Sequence, residues 1–110
     1  MIIVIGGDKG GTGKSHLATS LTVCLSMQGK RAGLVETDLN ASAKKWNKRR
    51  EQAGLPPVAL NEAYGDISAK IIKMADVADV LIVDTAGHDS TEFRTALKVA
   101  DVVIVPIDPL

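Results

Sequence analysis

Apolar residues along this chain come in two rhythms. Unbroken runs rich in Val and Ile stand at 2–5, 80–83 and 102–105. The first two predict strands covered on both faces rather than strands with one face in water, and the third a last apolar strand with few elements to cover it. "AGLVET" at 32–37 reads as a further strand, and "PVALN" at 57–61 as a short one. Between these runs the apolar positions recur at helical steps. Across 14–28, Leu17, Leu21, Cys24 and Leu25 make one stripe, which places Cys24 in the core. Gly29 closes that helix where a left-handed residue is expected. Residues 42–54 predict a polar, basic helix that stops before Pro56 and Pro57. Ile67, Ile71, Ile72 and Met74 mark a helix over 66–78, and 79–87 is a strand running into a glycine turn. Ser90 is placed to cap a helix over 90–100 with Phe93 and Leu97 on one face, before a last strand at 101–107. Strands alternate with helices throughout, so the fold class is α/β: a mainly parallel sheet, right-handed crossovers and helices on both faces.

Composition narrows the picture. The chain has 110 residues, enough for one domain over 1–110, and no low-complexity segment divides it. Aromatics are only 3%, so the core falls to Val, Ile, Leu and Ala. A formal net charge of zero gives no global pull toward nucleic acid or membrane. Cys24 is the single cysteine and cannot close an internal disulfide, which favours a reducing compartment. The opening "MIIVIGG" lacks a basic n-region, and no apolar run approaches the length of a membrane span. The expected location is the cytoplasm.

The chemistry begins in "GGDKGGTGKSH", residues 6–16, directly after the first strand. In a parallel sheet this loop opens at the carboxyl edge, where ligands bind. The next helix turns its free N–H groups and positive dipole end into the loop. Gly10, Gly11 and Gly13 remove side chains that would hold a phosphate away from those donors. Lys14 can add a point charge at β- and γ-phosphates, and Ser15 can give its hydroxyl to Mg²⁺. Strand, glycines, Gly13-Lys14-Ser15 and helix in that order make a phosphate-binding loop. The strict pattern fails at one place, because Asp8 stands where it needs glycine.

That departure is informative. "KGGTGKS", Lys9 to Ser15, resembles the deviant phosphate-loop signature of the ParA/MinD family of cytoplasmic ATPases. The resemblance implies a P-loop NTPase fold, ATP and Mg²⁺ as cofactors, and contacts to nucleotide from Lys9, Gly10, Gly11, Thr12, Gly13, Lys14 and Ser15. It implies that Lys9 reaches across a nucleotide-sandwich dimer to the partner's phosphates; outside that motif Lys9 would be a solvated turn lysine. Glu36-Thr37-Asp38 partly matches the family's D-x-D-P-Q block, with Asp38 on the Asp that orients or activates water. Glu36 replaces the first Asp, and Leu39-Asn40 replace Pro-Gln. A strand-end Asp can also simply cap the next turn. "VLIVDTAG" resembles the family's second nucleotide motif: Asp84 would join Ser15 in holding the metal, and Gly87 would offer its N–H to the γ-phosphate. The implied catalytic set is Lys9, Lys14 and Asp38. His16 stands at a cofactor-contacting position where the family often has Thr. With His88 it flanks the site, yet no third ligand accompanies them, so surface histidines are favoured over a metal pair.

Lys44, Lys45, Lys48, Arg49 and Arg50 surround Trp46 on the helix after Asp38. They read either as a solvated face with Trp46 packed inward or as a surface for nucleic acid or a partner. The resemblance covers essentially the whole chain but only the N-terminal half of a typical family member, which suggests a fragment or a naturally shortened relative. The expected function is a ParA-like ATPase that dimerises around Mg·ATP and hydrolyses it slowly to drive plasmid or chromosome partitioning. Its partners would be a second copy and a partition-type DNA-binding protein, with nonspecific DNA in a full-length form. Two alternatives stand: a positioning ATPase for another cargo, and a shortened, non-catalytic P-loop binding module.

Overall fold

In the computed structural model, which describes residues 1–7, 12–87 and 89–106, strands and helices alternate as the pattern predicts. The order is β1 (Ile2–Ile5), α1 (Thr12–Met27), β2 (Ala32–Glu36), α2 (Ser42–Gln52), β3 (Ala59–Glu62), α3 (Ser68–Ala75), β4 (Val80–Asp84), α4 (Thr91–Leu97) and β5 (Val102–Ile104). The strands form one sheet in the order β3-β2-β4-β1-β5, and every pairing is parallel. The class read from the sequence is therefore the one observed.

Alternation along the strands divides the core in two. Ile2, Val4, Val35, Leu81 and Val83 face Ile67 at the N-cap of α3, Ile71 within α3, and Phe93 and Ala96 of α4. Ile5, Leu34, Val80 and Ile82 face Ala18 of α1 and Ala43 of α2, with Leu17, Leu21 and Leu25 packed against them. The register then sets the site. Ile5 pairs with Asp84, Asp84 with Glu36, and Glu36 with Glu62, so these residues stand level at the carboxyl ends of adjacent strands. Residues level in a sheet share a face. Ile5 packs toward α1 and α2, so Asp84 and Glu36 project there too.

Several expectations need correction. Cys24 is exposed rather than buried. The inward arc of α1 is centred on Ala18, Thr22 and Leu25, and helix geometry puts Cys24 roughly 120° around from Ala18. Thr22 sits fully inside because its hydroxyl donates to the Ala18 carbonyl at 2.8 Å. Leu97 is 41% exposed, because Phe93, Thr95 and Ala96 take the inward arc of α4. Ile72 of α3 is likewise exposed, while Ile67 and Ile71 are buried. Ser90 caps α4 as expected, its Oγ accepting from Phe93 N at 3.1 Å. Gly29 carries the left-handed φ of 86° that ends α1. β5 is an edge strand with Val102 and Val103 partly exposed.

Candidate functional site

β1 delivers the chain into a cramped turn. A Cβ on Gly6 would lie 2.2 Å from Phe93 Cε1 and 2.9 Å from Thr85 Oγ1, so only glycine fits beneath α4. Gly7 follows at φ +121°, a conformation that side-chain-bearing residues rarely adopt. Lys9, Gly10, Gly11 and His88 lie outside the described residues. Thr12 and Gly13 open α1, so the helix starts slightly earlier than its apolar stripe.

The first turn of α1 and the end of β4 then meet. Lys14, 8% exposed, pairs through Nζ with Asp84 Oδ1 at 2.9 Å and also donates to the Thr85 carbonyl. Ser15 Oγ donates to Asp84 Oδ2 at 3.0 Å. Both oxygens of a wholly buried carboxylate are thereby engaged by the two residues that the loop reading selected. Thr37 holds the strand end from the other side, donating N–H and Oγ1 to the Asp84 carbonyl at 3.2 and 3.0 Å. Thr85 Oγ1 donates to the Ile5 carbonyl at 2.8 Å and locks β4 to β1. Neither threonine was singled out by sequence. Their position next to a strand-end carboxylate was the available signal.

Glu36 is the larger surprise. It is wholly buried, and Oε1 accepts the backbone N–H of Ala43 at 2.9 Å and of Lys44 at 3.4 Å. These are the orphan donors at the start of α2, which has no side-chain cap of its own. Ala41, at φ 55°, turns the chain left-handed into the helix. Oε2 of Glu36 has no hydrogen-bond partner among the described residues. Burial first, then the charge of Asp84, raises the Glu36 pKa above the ordinary glutamate value, against the lowering effect of the two amides.

Asp38 is half-buried just past β2. Its Oδ1 accepts from Asn40 N at 2.9 Å and its carbonyl from Ala41 N at 2.9 Å, so it shapes the turn that leads to α2. Gly87 follows β4 in a turn where its carbonyl accepts from Ser90 N at 2.9 Å. His16 is exposed; rather than meeting Asp84, it lines an open groove of about 310 Å³ between α1 and α2 with Ser15, Thr19, Ser42, Lys45, Trp46 and Arg49. Trp46 is partly buried there, and the Arg50 guanidinium lies 5.4 Å from its ring centre. Asn47 ties α2 to the residue before β3, exchanging hydrogen bonds with the Val58 backbone at 2.8 and 3.0 Å.

The donor set suits a hard cation. Ser15 Oγ and Asp84 Oδ2 are adjacent oxygens, and the unpartnered oxygen of Glu36 belongs to the carboxylate on the neighbouring strand. Among the described residues no group of three or more His, Cys, Asp or Glu side chains could hold a metal by itself. The oxygens of Ser15 and Asp84 suit Mg²⁺, which takes one or two carboxylates and completes its shell with water and phosphate oxygens. Among the described residues, no helix is long and apolar enough to cross a membrane.

Comparison with known proteins bears on the same region. The family model described as the CobQ/CobB/MinD/ParA nucleotide binding domain matches residues 3–109. Protein ParA of Rhizobium radiobacter is 33% identical over 112 residues, covering 98% of this chain and 49% of that protein. The chain thus spans about half the length of this curated relative. Among solved structures, FlhF complexed with GTP/Mg²⁺ is similar at a TM-score of 0.59 and 18% identity, over 94% of this chain and 42% of FlhF. FlhF complexed with GMPPNP/Mg²⁺ matches at the same TM-score and identity, over 43% of FlhF. At that identity the likeness speaks for the fold alone.

Proposed function

The chain belongs to the CobQ/CobB/MinD/ParA family of nucleotide-binding domains, and on that premise we propose that it binds Mg·ATP at the β1–α1 loop as the nucleotide-binding part of a ParA-like ATPase. In this reading the protein forms a nucleotide-sandwich dimer and hydrolyses ATP slowly to drive plasmid or chromosome partitioning in the cytoplasm. A partition-type DNA-binding protein would stimulate the cycle, and the full-length form would also contact DNA nonspecifically. The observation that carries the proposal is the convergence of Lys14 and Ser15 on Asp84 at the carboxyl edge of a parallel sheet.

Each residue has a task in this reading. The N–H groups at the start of α1 and along Gly10–Gly13 receive the phosphates, with Thr12 in the same run. Lys14 exchanges Asp84 for the β- and γ-phosphate oxygens. Ser15 Oγ and Asp84 would hold Mg²⁺, which when bound would offset phosphate charge and polarise the phosphoryl group. Gly87 offers its N–H to the γ-phosphate. Asp38, pinned through Oδ1 by Asn40 N–H, orients the attacking water. Lys9, five residues before Lys14 in the sequence, would reach the phosphates of the facing subunit and offset repulsion between two loaded sites. His16 stays on the rim.

Isothermal titration with ATP and Mg²⁺ tests the assignment. Lys14→Ala is expected to weaken triphosphate binding by about 1.5–3 kcal/mol, the range for a charge-assisted contact. An unchanged affinity in a variant with native circular dichroism would remove the phosphate-loop reading.

A further inference from the structure

We propose that Glu36 is a positioning residue that ties the cation site to α2: Oε1 holds the first turn of the helix, while Oε2 joins the oxygen shell of a divalent cation beside Asp84. The inference rests on the Mg·ATP reading above.

Three observations carry it. Glu36 is wholly buried, and its one engaged oxygen sits on the Ala43 and Lys44 amides of a helix without a side-chain cap. The entrance of α2 is therefore held from the sheet by this carboxylate. Its second oxygen is the only buried side-chain polar atom without a partner among the described residues. A buried carboxylate oxygen is rarely left bare unless something outside the folded chain completes it. Finally, Glu36 and Asp84 are register neighbours on β2 and β4, so two buried carboxylates stand side by side. Lys14 contacts Asp84 and leaves Oε2 of Glu36 unserved. Once Lys14 turns to phosphate, Asp84 loses its fixed cation as well, and a divalent ion is the species that relieves both carboxylates.

The length of the side chain matters. Glutamate spans from the β2 end to the α2 amides through Oε1 while Oε2 stays without a partner among the described residues. Loading of the cation then pulls on the residue that anchors α2. The helix carries Lys45, Trp46 and Arg49 along the groove that begins at Ser15 and His16. Cation binding is thereby transmitted to a basic, aromatic surface outside the site.

Trp46 is the single tryptophan of the chain and reports on that surface. The test uses the full chain with saturating ATP and titrates Mg²⁺ while following Trp46 emission, with ATP affinity measured separately by calorimetry. Wild type is expected to show a Mg²⁺-dependent change in emission. Glu36→Gln is expected to require about tenfold more Mg²⁺, as loss of a supporting ligand to a metal shell does, and to lose the emission change. Glu36→Asp keeps the charge on a shorter arm; it is expected to restore the Mg²⁺ requirement without restoring the Trp46 response. If Glu36→Gln does not fold, Glu36→Asp carries the test through its lost response. A folded variant with the wild-type Mg²⁺ requirement and the wild-type emission change overturns this inference alone. A wild-type chain that does not bind Mg·ATP overturns the functional reading, and this inference with it.

Discussion

Lys14 and Asp84 form a pair whose energetics follow from its surroundings. The ion pair is 2.9 Å long, and the side chains are 9% and 1% exposed, so solvent screens it little. Removing one partner of such a pair strands the other charge and costs about 3–5 kcal/mol. Lys14→Met leaves Asp84 with the Ser15 hydroxyl on one oxygen and with the Glu36 carboxylate on the adjacent strand, so the stranded charge has a like-charged neighbour. The Thr85 carbonyl loses its ammonium donor as well. Against a total stability of about 5–15 kcal/mol for a domain, that loss is large. Asp84→Asn strands the ammonium instead. The double variant Lys14→Met/Asp84→Asn carries neither charge, and its cost should fall at least ~1.5 kcal/mol below the sum of the singles. Urea unfolding of the ligand-free chain at neutral pH, followed by far-ultraviolet circular dichroism, measures all four corners of the cycle. Costs that add within about 0.5 kcal/mol would refute the reasoning, because they would mean that the two charges do not depend on each other. The same cycle shows how much of any lost ATP binding in Lys14→Ala reflects unfolding.

Three further outcomes are expected. Gly6→Ala should cost about 1–3 kcal/mol through overlap with Phe93, read as a drop in Tm that Phe93→Leu partly reverses; an unchanged Tm would mean that the turn is not cramped. Asp38→Ala in a full-length chain should keep ATP binding and lose most turnover, whereas normal turnover would leave Asp38 as a turn residue only. Glu36 has a raised pKa, so the native state holds its proton more tightly than the unfolded chain does; its contribution to stability is full below the ordinary value of 4.5 and is lost as the pH rises through the raised pKa. Urea unfolding from pH about 4 to about 8 should therefore decline more steeply for wild type than for Glu36→Gln, and parallel curves would count against this burial effect.

Lys14, Ser15 and Asp84 were legible in the sequence because their spacing is local and the surrounding pattern sets their elements. A glycine loop after a strand and an acid after four apolar residues reach the same edge in any parallel sheet. Glu36 was legible only as a departure from a motif. Its partner amides lie seven and eight residues downstream, beyond any local capping rule, and a left-handed Ala41 is needed to bring them back. Thr37 and Thr85 escaped notice because strand pairing, not sequence proximity, gives them their acceptors. Cys24 and Leu97 were misplaced for a different reason. A stripe of apolar letters locates a helix well, but the arc that turns inward is chosen by what it meets, and small or self-satisfied residues such as Ala18, Thr22 and Ala96 can take it.

The level row of strand ends also constrains how such a chain can change over time. Deleting one residue inside β4 would turn Asp84 to the α3 and α4 side and put Thr85, which has no charge, opposite Lys14. The same holds for β1 and β2, whose ends stand in that row. Variation in length is therefore tolerated at the opposite edge of the sheet, in the turns near 28–31, 53–58 and 76–79 that lead from helices back into strands. Insertions there would keep the spacing of Lys14, Asp84 and Glu36, while a single slip within a strand would abolish it. The sheet acts as a ruler, and its gradations lie in the lengths of three short strands.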